Sequence, residues 1–243
     1  MRRLKTASAL LLGLVSSTIV VRPATPLIPD FPAPRPEPSE AIALVQRSLG
    51  YPEKTPDGTV VGLTWTTTEA FQSEHPKSDR FRWLSATGDW AWFVTRFDPH
   101  PPTGTVASTA VRVDRIRTNG LVEAGVAPLT SSLTLVPSAD WDATQLPATS
   151  PAEAIGKALS AIGPVDPRRP RLVVGATWST ATHFRPHIED GSSYSWKQSQ
   201  SEWAWFVTIV ERDTAETNGH GDRVRVIRVL NNGAVHEPRF IRT

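Results

Sequence analysis

The sequence predicts an α+β protein made of two tandem repeats, each an N-terminal helix packed on an antiparallel meander of four to five strands. Three observations point there. The hexapeptide WAWFVT occurs twice, at Trp90–Thr95 and Trp203–Thr208, an offset of 113 residues (203 − 90). The same offset aligns Trp65 with Trp178, Trp83 with Trp196, Phe71 with Phe184, Glu40-Ala41-Ile42 with Glu153-Ala154-Ile155, and Val111-Arg112-Val113 with Val224-Arg225-Val226. It needs no net insertion or deletion, so the folded chain is a duplication. Finally, each copy opens on an apolar-periodic run and closes on an Asn-Gly turn signal.

Taken from the N-terminus, residues 1–21 read as a signal peptide or signal anchor. Met1-Arg2-Arg3-Leu4-Lys5 is basic, and the apolar stretch Thr6 to Val21 is short beside the about 20 residues that span a bilayer comfortably. Arg2 and Arg3 favour a cytoplasmic N-terminus with the remainder exported, secreted or held at the cell surface by residues 6–21. Residues 22–38 carry seven prolines, at 23, 26, 29, 32, 34, 36 and 38, and read as a stiff polyproline II linker.

The repeats are expected at 39–125 and 152–238, joined by a linker over 126–151. In the first, Ala41, Ile42, Val45 and Leu49 share a helical face, and Gly50 stops the helix; Gly163 does so in the second. Thr59–Phe71 and Leu172–Phe184 are rich in Val, Thr and aromatic residues and read as strands. Phe81–Leu84, Trp90–Phe97, Ala110–Thr118 and Leu121–Glu123 follow as short strands, mirrored in the second copy. Asn119-Gly120 and Asn232-Gly233 predict type I′ hairpins.

In strand geometry Trp90, Trp92 and Val94 face one side, and Ala91, Phe93 and Thr95 the other. Both faces are apolar, so the strand is expected to be central and covered twice. One helix covers one face; the sister repeat, the linker or a partner is left to cover the other. A buried Trp is worth about 4–6 kcal/mol at ~25 cal/mol per Å². A protein with no cysteine, and hence no disulfide, has need of such anchors. Core packing is therefore the first reading of Trp65, Trp83, Trp90 and Trp92 and their counterparts. The functional alternative places Trp90, Trp92, Trp203 and Trp205 in an aromatic groove that binds a protein, peptide or glycan.

The order of helix, aromatic strand and VRVDRIRTNGLVEA resembles a PepSY-type domain. Trp92-Phe93-Val94 stands for the aromatic-x-V strand, Val111-Arg112-Val113-Asp114 for V-x-V-D, and Thr118-Asn119-Gly120 for the turn. Copy two departs from the pattern, with Ile227 for Asp114 and Asn231 for Thr118; a cystatin-like α+β domain would read similarly. The resemblance implies a non-catalytic extracytoplasmic module that binds an envelope protein or peptide, with inhibition or modulation of a protease as its role. A structural or scaffolding role in the envelope is the alternative.

Other chemistry finds little footing. With no cysteine there is no thiol catalysis or thiolate metal site. Nucleophile-elbow, zinc-protease and dinucleotide motifs are missing, so no cofactor is expected. The basic residues are dispersed and the formal charge is +2, which gives nucleic acid no patch. His183 and His187, four apart, would suit a metal-dependent hydrolase on a helix, but Pro186 lies between them and copy one has Ala70 and Glu74 there. What the copies share is Trp, Phe, Val, Gly and Asn, which are folding residues.

Overall fold

A computed structural model describes residues 32–48, 59–74, 88–98, 110–125, 146–182, 184, 193–195, 202–214, 222–237 and 239–241. The expected signal segment 1–21, the strand expected at Phe81–Leu84, and His183 and His187 lie outside these residues.

The fold is α+β; among the described residues three helices accompany a single eight-stranded antiparallel sheet. The first half contributes α1 (Pro38–Ser48), β1 (Thr59–Thr67), α2 (Thr68–Glu74), β2 (Trp90–Asp98), β3 (Ala110–Arg117) and β4 (Val122–Gly125). The second contributes α3 (Pro151–Ala161), β5 (Arg171–Thr180), β6 (Ser193–Ser195), β7 (Trp203–Glu211), β8 (Arg223–Leu230) and β9 (Val235–His236). The sheet order is β4-β3-β2-β1-β5-β7-β8-β9, while β6 pairs separately with β10 (Arg239–Ile241).

Each half is the expected meander, yet the halves do not make separate sheets. They join edge to edge through β1 and β5, where Gly62 pairs with Thr177, Leu63 with Ala176 and Thr64 with Gly175. Under the offset of 113, Gly62 is equivalent to Gly175 and Thr64 to Thr177, so the pairs exchange and Leu63↔Ala176 lies on the axis. The seam is isologous, built as a symmetric dimer interface is built but inside one chain. The sister repeat therefore extends the sheet instead of covering its second face.

The helices form where apolar spacing allows. Pro38, Ala41, Ile42 and Val45 are buried on α1, and Pro151, Ala154, Ile155 and Ala158 at the same spacing on α3. Ser150 caps α3 by accepting from the Glu153 N–H at 3.2 Å, and Pro151 at the first position needs no partner for its missing N–H. Gly163, at φ +78°, follows as predicted. Both helices pack on the Trp-bearing face, where one apolar cluster runs unbroken through both halves.

Two local expectations are corrected. The first strand ends at Thr67, not Phe71: the Thr67 hydroxyl accepts from the Ala70 N–H at 3.1 Å and starts α2. Its counterpart ends at Thr180, and Phe184 donates its N–H to the Thr180 carbonyl at 2.9 Å. Leaving the strand lets Phe71 lie flat on Phe93 (4.2 Å, 7°) and Phe184 on Phe206 (4.4 Å, 11°), covering the second face. The Asn-Gly turns are also not type I′, because that turn needs positive φ at both central residues and only Gly120 (+80°) and Gly233 (+82°) have it. Arg117 and Leu121 close a three-residue loop through Arg117 N–H to Leu121 O at 2.9 Å, and Asn119 Oδ1 accepts from the Leu121 N–H at 3.0 Å. Leu230, Ala234 and Asn232 repeat the arrangement.

Candidate functional site

The hexapeptide strand β2 lies between β1 and β3, and β7 between β5 and β8, with Trp65 opposite Trp92 and Trp178 opposite Trp205. Trp65 stacks on Trp90 (6.0 Å, 28°) and tilts against Trp92 (5.4 Å, 55°). Trp178 stands in the same relation to Trp203 (6.2 Å, 26°) and Trp205 (5.7 Å, 57°). The two triads reproduce one another closely, as expected where ring packing follows from strand register.

The four residues expected to line a groove separate into two classes. Trp92 and Trp205 are 0 % exposed, beneath the helices, and present no surface to a partner. Trp90 and Trp203, at the strand starts, are partly exposed. A buried indole still needs an acceptor for its N–H. Trp92 Nε1 donates to the Pro36 carbonyl at 2.8 Å and Trp205 Nε1 to the Thr149 carbonyl at 3.0 Å. Pro36 and Thr149 are equivalent under the offset, each two residues before its helix begins. Trp65 Nε1 donates to the Pro32 carbonyl at 3.0 Å. The segments 32–37 and 146–150, expected to be linker, are thus bound to the core; Ala148 also donates its N–H to Asn231 Oδ1 at 2.9 Å.

A shared polar pair escaped the sequence reading. Arg115 and Arg228 are equivalent, 0 % and 1 % exposed, and lie on the second face opposite Phe93 and Phe206. Arg115 Nη1 is 3.2 Å from Glu123 Oε2. Arg228 Nη2 donates to the Glu202 carbonyl at 3.1 Å and lies 3.5 Å from its carboxylate. Burial lowers both guanidiniums from their ordinary value, against the opposing pull of Glu123 and Glu202. The signal was present in VRVDRIR and VRVIRVL, where the two arginines fall in register. Its message is structural: Arg228 ties down the residue that precedes the WAWFVT strand.

Other charges meet within the fold. Arg96 Nε donates to Asp114 Oδ2 at 2.6 Å, with both side chains buried. Glu211 accepts from Arg171 Nε at 3.1 Å and Arg225 Nε at 2.9 Å. Burial pushes the Glu211 carboxyl up, but hydrogen bonds from Arg225 and Arg171, with their charges, hold it below the usual range. Arg171 also donates to the Gly163 and Ile162 carbonyls at 2.6 and 3.1 Å, closing the end of α3. Among the described residues no group of three His, Asp or Glu side chains could hold a metal ion, and no helix is long and apolar enough to cross a membrane. Set against family models, curated proteins and solved structures, the chain matches none.

Proposed function

We propose that the protein is an exported, non-catalytic binding or regulatory protein of the cell envelope, made of two PepSY-like repeats fused side by side and acting on a protease or another envelope protein. The observation that carries the reading is where the polar groups go. The buried charges engage one another or main-chain carbonyls as parts of the scaffold: Arg96 with Asp114, Arg171 and Arg225 with Glu211, Arg228 with Glu202. What the halves hold in common is a tryptophan-cored frame with a partly exposed indole at each WAWFVT start. Two such indoles on one continuous sheet suit a protein or peptide partner, since Trp is enriched at the centres of protein interfaces. Export rests on the basic-then-apolar N-terminus.

Two measurements test the reading. Alkaline phosphatase fused after residue 31 should be active in cells, as it is only outside the cytoplasm; an inactive reporter would remove the envelope setting. Purified protein should slow substrate turnover by metalloproteases of its host's envelope, and a Trp90→Ala, Trp203→Ala variant should lose that effect while staying folded. Equal protease rates with and without the protein would end the regulatory reading.

A further inference from the structure

We infer that Trp65 and Trp92 form a binding site for a proline-rich segment, and that its resident ligand is the chain's own Pro32–Glu37. A proline-rich segment offers carbonyls and few N–H groups, so holding it requires donors that reach the main-chain carbonyls. Here the donors are indole N–H groups, and the segment they hold is bent, with a cis Arg35–Pro36 peptide, and is not a polyproline II helix. Trp65 Nε1 and Trp92 Nε1 donate to the Pro32 and Pro36 carbonyls at 3.0 and 2.8 Å. Between those anchors Pro34 is buried, whereas Ala33 and Arg35 on either side of it point to solvent. A segment with prolines at every second position, 32, 34, 36 and 38, has few N–H groups of its own to place and suits a surface that offers donors alone.

The second half shows that the site belongs to the scaffold. Pro147 is equivalent to Pro34 and Thr149 to Pro36, and Trp205 Nε1 holds the Thr149 carbonyl at 3.0 Å. There the ligand is the segment Leu146–Ser150, with a single proline before the helix. The first site differs in holding a proline-dense ligand, with prolines at 32, 34 and 36. Among the described residues the chain is thus tied to the fold at Pro32 and Pro36, ahead of the start of α1. This conclusion stands apart from the proposed export and protease role.

The absence of native cysteine permits a direct test in the full chain. A nitroxide on Ala33→Cys, an exposed position, should give a motionally restricted spectrum. In a Trp65→Phe, Trp92→Phe background, which keeps an aromatic ring at each position and removes the two N–H donors, the ratio of mobile to restricted label should rise about fivefold for each hydrogen bond lost. Circular dichroism should show the sheet and helices retained. Trp205→Phe, which touches only the second site, should leave the label at position 33 unchanged. Should the double variant fail to fold, Pro34→Gly removes the buried ring and leaves both indoles, and it should release the label from an otherwise native protein. A mobile label in the native background, an unchanged restricted label in the variants, or release only together with global unfolding would overturn the assignment.

Discussion

The two halves share a backbone but solve one packing problem differently. In the first, Arg96 and Asp114 form a buried ion pair at 2.6 Å on the helix-bearing face. In the second, the equivalent positions hold Ile209 and Ile227, both buried in the continuous apolar core. The same register, strand order and Trp triad accept either. The fold is thus set by the tryptophans and strand pairing, while this site tolerates charge or hydrocarbon provided that the partners match. A buried pair is weak evidence of stability, because the desolvation of two ions offsets most of their attraction.

The comparison can be broken from either side. Asp114→Ala leaves the buried Arg96 guanidinium without this carboxylate and should cost about 3–5 kcal/mol in denaturant unfolding; a loss below 1 kcal/mol would mean that the pair is not buried in solution. Making the first half resemble the second, Arg96→Ile with Asp114→Ile, should instead be neutral or stabilising by up to about 4 kcal/mol. A double variant as damaged as Asp114→Ala would show that the halves are not interchangeable here.

Smaller effects test the hairpins and the charge network. Gly120→Ala and Gly233→Ala each place a side chain at positive φ, and each should lower stability by about 1–2 kcal/mol. At Gly233 the added Cβ would meet Lys157 Nζ at 2.9 Å, but that is the far end of a flexible side chain. The two costs should therefore be alike, and a much larger one at Gly233 would show Lys157 to be fixed.

Glu211, held low by Arg225 and Arg171, gives the smallest signal and one confined to acid. A carboxylate whose folded value is depressed contributes stability that is complete above its unfolded value, near 4.5, and lost as pH falls through the lower folded value. Glu211→Gln should flatten that acid decline relative to wild type. Parallel pH profiles would show that Glu211 does not couple to folding.

Much of this was legible in the chain. The offset of 113 predicts equivalent helices, meanders and Trp triads, because side-chain burial on one strand face is written in the alternation of that strand. The positive φ of Gly120 and Gly233 is legible too, but the turn type is not: it depends on whether Asn119 also takes positive φ or, as happens, accepts from Leu121 instead. Arg115 and Arg228 were visible in register, yet arginine is so often solvated that only packing reveals two of them buried on the second face.

By itself the sequence determined the duplication, the fold class, the helix faces and the central place of WAWFVT, all of which follow from local periodicity and repetition. Tertiary structure alone decided how the halves meet, what covers the second face and which indoles remain partly open. The meeting of the halves depends on pairing between residues more than a hundred apart, such as Leu63 with Ala176, and an edge-to-edge seam leaves no periodic mark on either strand. The covering of the second face depends on the chain leaving the strand so that Phe71 and Phe184 fold back on Phe93 and Phe206. It also decided that the prolines before α1 are held by tryptophan N–H groups, since a carbonyl's partner is fixed by where the folded chain places the donor.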